Sequence, residues 1–289
     1  MKKLTAIIIM ILALAANADA KSVHWISIFD TNDTHIGILN NTGRNTLFER
    51  IVTPFSIVSD SLGYDNYLYQ IDGDNFTVSN VVKTINNIKT TPEDLIFLYY
   101  AGHGFGAPDT CKSQFPILFL EPKSSGALPF DYIHEQVQAK DCKGIVMVAV
   151  SSNVSSGRAN PTNGQLPQRL YLDSLKQAEN TVDPIPINKD RLEKFRLTDT
   201  EYEYIRHLIT SINGEILMCS AKRGQQSFGG DTPLGPMDFF TYVFVMSLED
   251  AYAEGGIPDI KRIADEICST LSDISEQNQI PFYHISNIK

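Results

Sequence analysis

Leu95-Ile96-Phe97-Leu98-Tyr99-Tyr100-Ala101-Gly102-His103-Gly104 and Ile145-Val146-Met147-Val148-Ala149-Val150-Ser151-Ser152-Asn153 are the two stretches on which the fold turns. Each opens with an almost unbroken apolar run and then changes abruptly to small and polar residues. An apolar run without alternation suits a strand covered on both faces, the situation of a parallel sheet lying between helices.

The flanking sequence agrees. Residues 23–30 and 67–71 read as further strands, and Thr77 can cap a helix whose Val78, Val81, Val82, Ile85 and Ile88 share one face. Leu47, Ile51, Phe55, Val58 and Leu62 recur at helical spacing, with Pro54 expected to kink or split that helix. The stretch between residue 31 and this helix reads as a polar turn followed by looser chain. A short apolar run at residues 117–120 and a helix over 131–140 separate the two opening stretches.

Residues 155–197 are rich in Pro, Asn, Gly and charge with no sustained period, so they read as a long exposed connection. Thr198 then caps a helix to about residue 212, followed by a strand at 215–221. Phe240, Val243, Phe244 and Leu248 mark one later helix, Ile260, Ile263, Ile267, Leu271 and Ile274 another, and residues 280–285 close as a strand. This order predicts an α/β domain: a mostly parallel central sheet of about six strands with helices on both faces.

Residues 1–20 have the form of an export signal. Lys2 and Lys3 precede an apolar stretch at 7–14, and Ala18-Asp19-Ala20 supplies a small-residue cleavage site. The apolar run is too short to span a bilayer, so the expectation is an exported protein, periplasmic or secreted, with no membrane span. A formal net charge of −10 argues against nucleic acid as a partner. Cys111, Cys142, Cys219 and Cys268 lack paired spacing; export permits a disulfide among them, while Cys219, in an apolar strand, also reads as a buried free thiol.

Ligands of open parallel sheets sit beyond the carboxyl ends of the strands. That directs attention to His103 and Ser152, which project into one cleft if their strands are neighbours. Each alone is ordinary turn chemistry. A histidine between two glycines has little packing role, however, because its neighbours serve unusual backbone angles or close approach of another chain. Other chemistries are not encoded: there is no GxSxG, the histidine precedes the serine, and no P-loop or HExxH occurs. No catalytic metal or organic cofactor is expected; calcium stays open.

Leu98-Tyr99-Tyr100-Ala101-Gly102-His103-Gly104 resembles the histidine motif of the caspase and metacaspase clan. Val150-Ser151-Ser152-Asn153 falls where that clan carries its nucleophile. The interval of 49 residues between His103 and Ser152 is similar to the caspase interval of about 50. Residues 216–221, Gly224-Gln225-Gln226-Ser227 and Phe239-Phe240-Thr241-Tyr242 look like the clan's small-subunit strand, loop and helix. The resemblance implies a caspase-like three-layer sandwich, with a large-subunit-like half at 21–154, a linker at 155–197 and a small-subunit-like half at 198–289. It also implies a peptide or protein ligand, His103 as acid/base, Ser152 at the nucleophile position and the amides of Gly104 and Ser152 as oxyanion donors. Asp30, Ala101 and Val150 fall on substrate-binding positions, with Asp33 a second acid at the exit of the first strand.

Two departures bear on activity. Ser152 stands where the clan has cysteine, and a serine hydroxyl must surrender its proton to a well-oriented base during attack, whereas a thiol is already partly ionised. Val150 replaces an aspartate that metacaspases use to bind a basic side chain. A pseudopeptidase that binds peptides is the favoured reading; an active endopeptidase and a cysteine-to-serine engineered variant are the alternatives. Ser151 is the nucleophile position if the motif is offset by one residue.

Overall fold

Residues 20–107, 112–120, 126–154, 182–187 and 195–286 are described by the computed structural model. The expected export signal, apart from Ala20, lies outside the described residues, as do 155–181 and 188–194 of the expected linker and Cys111.

Strand β1 (Lys21–Phe29) leads into helix α1 (Gly37–Leu47), a π-helical turn (Phe48–Val52) and helix α2 (Thr53–Ser61). Pro54 sits in the first turn of α2, where its missing N–H costs nothing, so the chain is divided there as its sequence demands. Helix α1 was not expected. Its buried positions are Gly37, Asn40, Gly43, Thr46 and Leu47, so it packs through small and amide side chains that leave no apolar stripe to read.

Strand β2 (Tyr64–Asp72) is followed by α3 (Val78–Asn87), whose cap is the expected one: Thr77 accepts a hydrogen bond from the Asn80 amide at 3.1 Å. Strand β3 (Leu95–Ala101) then gives way to β4 (Gly104–Gly106), β5 (Pro116–Phe119) and β6 (Ala127–Pro129). Helix α4 (Phe130–Gln138) leads to β7 (Gly144–Val150). Beyond it lie β8 (Ile185–Pro186), α5 (Asp199–Ser211) and β9 (Gly214–Cys219). At the start of α5, Thr198 and Glu201 form a capping box. The short strands β10 (Gly229–Gly230) and β11 (Met237–Asp238) precede α6 (Phe239–Glu254), α7 (Ile260–Ile274) and β12 (Phe282–Ser286).

The central sheet has seven strands in the order β12-β9-β7-β3-β1-β2-β8, one more than the expected count of about six. The five inner strands are parallel, and the two edges, β12 and β8, run antiparallel. The extra edge comes from Ile185 and Pro186, which pair with β2 from within the segment read as an exposed connection. Residues 116–119 are not part of this sheet; they form the middle of a separate three-stranded one, β4-β5-β6.

Side chains of the parallel strands alternate between two cores. Trp25, Phe29, Tyr99 and Val148 pack with residues of α1, α2, α5, α6 and α7. Ile26, Ile28, Ile96, Leu98 and Met147 pack with α3 and α4. Strands β3 and β7, in the middle of the sheet, meet a core on each side, the physical reason for their almost unbroken apolar runs. Cys142, Cys219 and Cys268 are free thiols, and burial pushes that of Cys219 up to about 12.

Candidate functional site

Strands β3 and β7 are neighbours in register, with Ala101 opposite Val150, and the pairing continues one step further through a hydrogen bond from the Gly102 amide to the Val150 carbonyl at 3.1 Å. Their exits therefore leave the sheet side by side. The Asp30 amide likewise donates to the Ala101 carbonyl at 2.9 Å, which adds the end of β1 to the same edge.

The glycines around His103 are required by contact. A Cβ on Gly104 would meet the Ser151 hydroxyl at 2.7 Å and the Ser152 carbonyl at 3.0 Å. One on Gly102 would meet the Tyr100 hydroxyl at 2.6 Å. Tyr100 cannot withdraw, because it is fully buried and its hydroxyl lies 2.6 Å from the carbonyls of both His103 and Phe119. Gly104→Val is accordingly expected to lower unfolding free energy by about 1–3 kcal/mol through overpacking. Urea denaturation checks it, and an unchanged midpoint would mean that the strand exits separate freely.

His103 is half exposed, and its Nε2 lies 3.2 Å from Asp33 Oδ2. Asp33 is itself fixed: one carboxylate oxygen accepts from the amides of His35 at 2.7 Å and Ile36 at 2.9 Å. Burial pushes the Asp33 carboxyl up, but those two amides and the His103 imidazole outweigh it and hold the group below the usual carboxylate range. Asp30 shifts the other way. Burial raises it first and the Asp33 charge second, with partial relief from His103.

Ser152 is half-buried, and its Oγ accepts from the Ser227 amide at 3.2 Å; no hydrogen bond joins it to His103. Ser151, the residue at the offset position, is 2% exposed, and its hydroxyl has no hydrogen-bond partner. Ala101 and Val150 are buried in the core, while Asp30 is half-buried at the rim. The structure thus brings His103, Gly104, Ser152, Asp30 and Asp33 to one edge and turns the Ala101 and Val150 side chains inward.

Behind Ser152 stands a polar frame that sequence reasoning missed. The Ser151 amide donates to Ser220 Oγ at 3.0 Å, Ser220 Oγ lies 3.0 Å from Ser227 Oγ, and Ser227 Oγ donates to Asp238 at 2.9 Å. Gln279 Nε2 donates to the Ser220 carbonyl at 3.0 Å while its Oε1 accepts from the Phe228 amide at 3.0 Å. Asn153 is fully buried, donating its amide to the Gln225 carbonyl at 2.8 Å and its side chain to the Gln114 carbonyl at 2.8 Å. These contacts fix the loop whose Ser227 amide reaches Ser152. The only sequence signal was Gln225 and Ser227 themselves; Ser220, Asp238 and Gln279 come from separate elements.

Among the described residues no group of three or more His, Cys, Asp or Glu side chains is placed to hold a metal ion, and no helix is long and apolar enough to cross a membrane.

No family model matches the chain, and no curated protein matches it. Among solved structures, the protein GSU0716 from Geobacter sulfurreducens is similar over 93% of this chain and 94% of its own, at 12% identity and a TM-score of 0.48.

Proposed function

We propose that this chain is a caspase/metacaspase-like protein with the clan's three-layer sandwich, and that it binds peptide or protein segments in the cleft between His103 and Ser152 without turning them over efficiently. It acts outside the cytoplasm once residues 1–20 are removed. The observation that carries the reading is the pattern of hydrogen bonds at the strand exits: Ser152 Oγ is engaged by the Ser227 amide, and the His103 ring by Asp33, with no bond between the two. A serine that is not bonded to its base lacks the activation that serine chemistry demands. The acidic rim formed by Asp30 and Asp33 suits a ligand carrying a basic side chain.

One observation favours the rival reading, an active endopeptidase. Asp33 orients the His103 ring as the carboxylate of a serine triad does, although through Nε2, which leaves Nδ1 as the nitrogen to act as base, and catalytic hydrogen bonds often tighten only when substrate is bound. Incubation with a library of fluorescent peptides decides between them. The expected result is saturable binding, stronger for peptides with Arg or Lys, and intact peptide at the end. Hydrolysis that disappears in His103→Ala would establish the endopeptidase instead, and the absence of both binding and cleavage would remove the cleft as a peptide site.

A further inference from the structure

On the face of the sheet that packs against α1, α2, α5, α6 and α7, the two layers do not close. A cavity of about 660 Å³ lies between them. Protein interiors contain few voids larger than a water molecule, and small-molecule sites occupy roughly 300–1,000 Å³, so this volume is on the scale of a binding site and not of a packing flaw.

The strand register supplies the floor of the cavity in two ranks. Leu68, Trp25, Phe97, Val146 and Ile216 lie opposite one another across the strands, and Gln70, Ser27, Tyr99, Val148 and Met218 form the next rank. Ser27, Phe97 and Val146 are only half-buried although they sit on central strands. On the opposite face Ile26, Ile28, Ile96, Leu98 and Met147 are at most 1% exposed. A floor that stays partly open in the middle of a sheet calls for an occupant.

The ranks also set a direction. Toward Val148, Met218 and the α7 residues Ile263 and Ile267 the walls are apolar, whereas at the other end stand Gln70, Arg44 and Glu49. Ser27 is a hydroxyl in the middle of the floor with no hydrogen-bond partner among the described residues. Polarity at one end and hydrocarbon at the other match an amphiphile.

Charge at the mouth narrows the class. The Arg44 guanidinium is already paired with Asp72, which also accepts from Gln70 Nε2 at 2.7 Å. Glu49 is exposed and has no ion pair among the described residues. The mouth therefore presents a neutralised cation and a free carboxylate, and an anionic headgroup would meet net repulsion.

We propose that this cavity binds an uncharged single-chain amphiphile, its alkyl or acyl tail beneath α7 and its hydroxyl or carbonyl head at Ser27 and Gln70. The site lies on a face of the sheet and the cleft at the strand ends, so the proposal does not depend on the peptide-binding reading.

Trp25 is the sole tryptophan and lines the cavity, so its fluorescence reports on the site directly. The probes are dodecan-1-ol and dodecanoate at pH 8, kept below the concentrations at which they aggregate, titrated into the full protein. Dodecan-1-ol is expected to shift Trp25 emission saturably in the micromolar range, with dodecanoate at least ten-fold weaker. Ser27→Leu fills the floor with an apolar side chain and is expected to weaken dodecan-1-ol at least ten-fold while the circular dichroism spectrum is retained. Absence of a saturable shift, equal or tighter binding of dodecanoate, or wild-type binding by Ser27→Leu would each overturn the proposal. If Ser27→Leu does not fold, Val148→Phe, which projects into the same cavity from β7, replaces it and is read in the same way.

Discussion

Ser152→Cys is expected to convert a protein with background peptide hydrolysis into one with measurable turnover, a gain of at least about 100-fold, the lower range of what a positioned acid or base contributes. The surrounding groups are already in place. The exits of β3 and β7 are locked side by side, the Ser227 amide is directed at the Oγ of residue 152, and Asp33 sets the orientation of His103. A thiol needs less from its base than a hydroxyl does, because part of it is ionised near neutral pH. On the pseudopeptidase reading, the imidazole that makes no bond to Ser152 can still protonate the leaving amine after thiolate attack. Turnover of fluorogenic peptides by Ser152→Cys, abolished in the double variant with His103→Ala, checks this. Turnover above background by both forms at equal rates, abolished in His103→Ala, would overturn the pseudopeptidase reading, and background rates in both would show that more than the nucleophile is missing from the site.

Between about pH 4 and 7 the protein is expected to lose stability on account of Asp238. Its carboxyl caps α6 by accepting from the amides of Phe240 at 2.7 Å and Thr241 at 3.3 Å. Burial nonetheless raises it from 3.8 to about 7, the bonds from Ser227 and the two amides only partly offsetting that. The folded state therefore holds a proton that the unfolded chain releases from about pH 4 upward. Stability from this group is complete below pH 4, declines as pH rises, and levels off above about 7. A shift of this size corresponds to about 4 kcal/mol at most. Asp33 and Asp94, both held below the ordinary range, act in the opposite sense, but at lower pH: what they contribute is lost as pH falls below about 4. Asp238→Asn keeps an oxygen for the helix cap and removes the titration. Denaturant midpoints measured from pH 4 to 8 should fall for the natural protein and stay nearly level for the variant; parallel curves would mean that the carboxyl titrates normally in the fold.

The parallel core was legible because its physics is local. A strand covered on both faces must be apolar at every position, and residues 95–101 and 144–150 are. The helices with an apolar stripe, such as Val78–Asn87 and Ile260–Ile274, were legible for the corresponding reason, and so was the division at Pro54. What failed was local as well as non-local. Gly37–Leu47 is a helix without a stripe, since it meets its neighbours through glycine, asparagine and threonine. Residues 116–119 have the composition of a buried strand, yet only their partners in β4 and β6 assign them to the small sheet.

At the strand exits, the amino-acid sequence alone determined that His103 and Ser152 each follow a buried strand and that glycines stand on both sides of the histidine, because burial on two faces and close backbone approach restrict the residues at those positions themselves; that the two strands are neighbours came from the sheet order. Only the tertiary structure decided that Asp33 holds the imidazole, that the Ser227 amide holds the serine, and that Ser220, Asp238 and Gln279 stand behind them. Asp33 lies 70 residues from His103 and Ser227 75 from Ser152, and a hydrogen bond across such a separation leaves no period, composition or spacing in the chain. The cavity beneath α7 was hidden for the same reason: an unfilled volume depends on how far a layer of helices stands from its sheet, and no single segment encodes that distance.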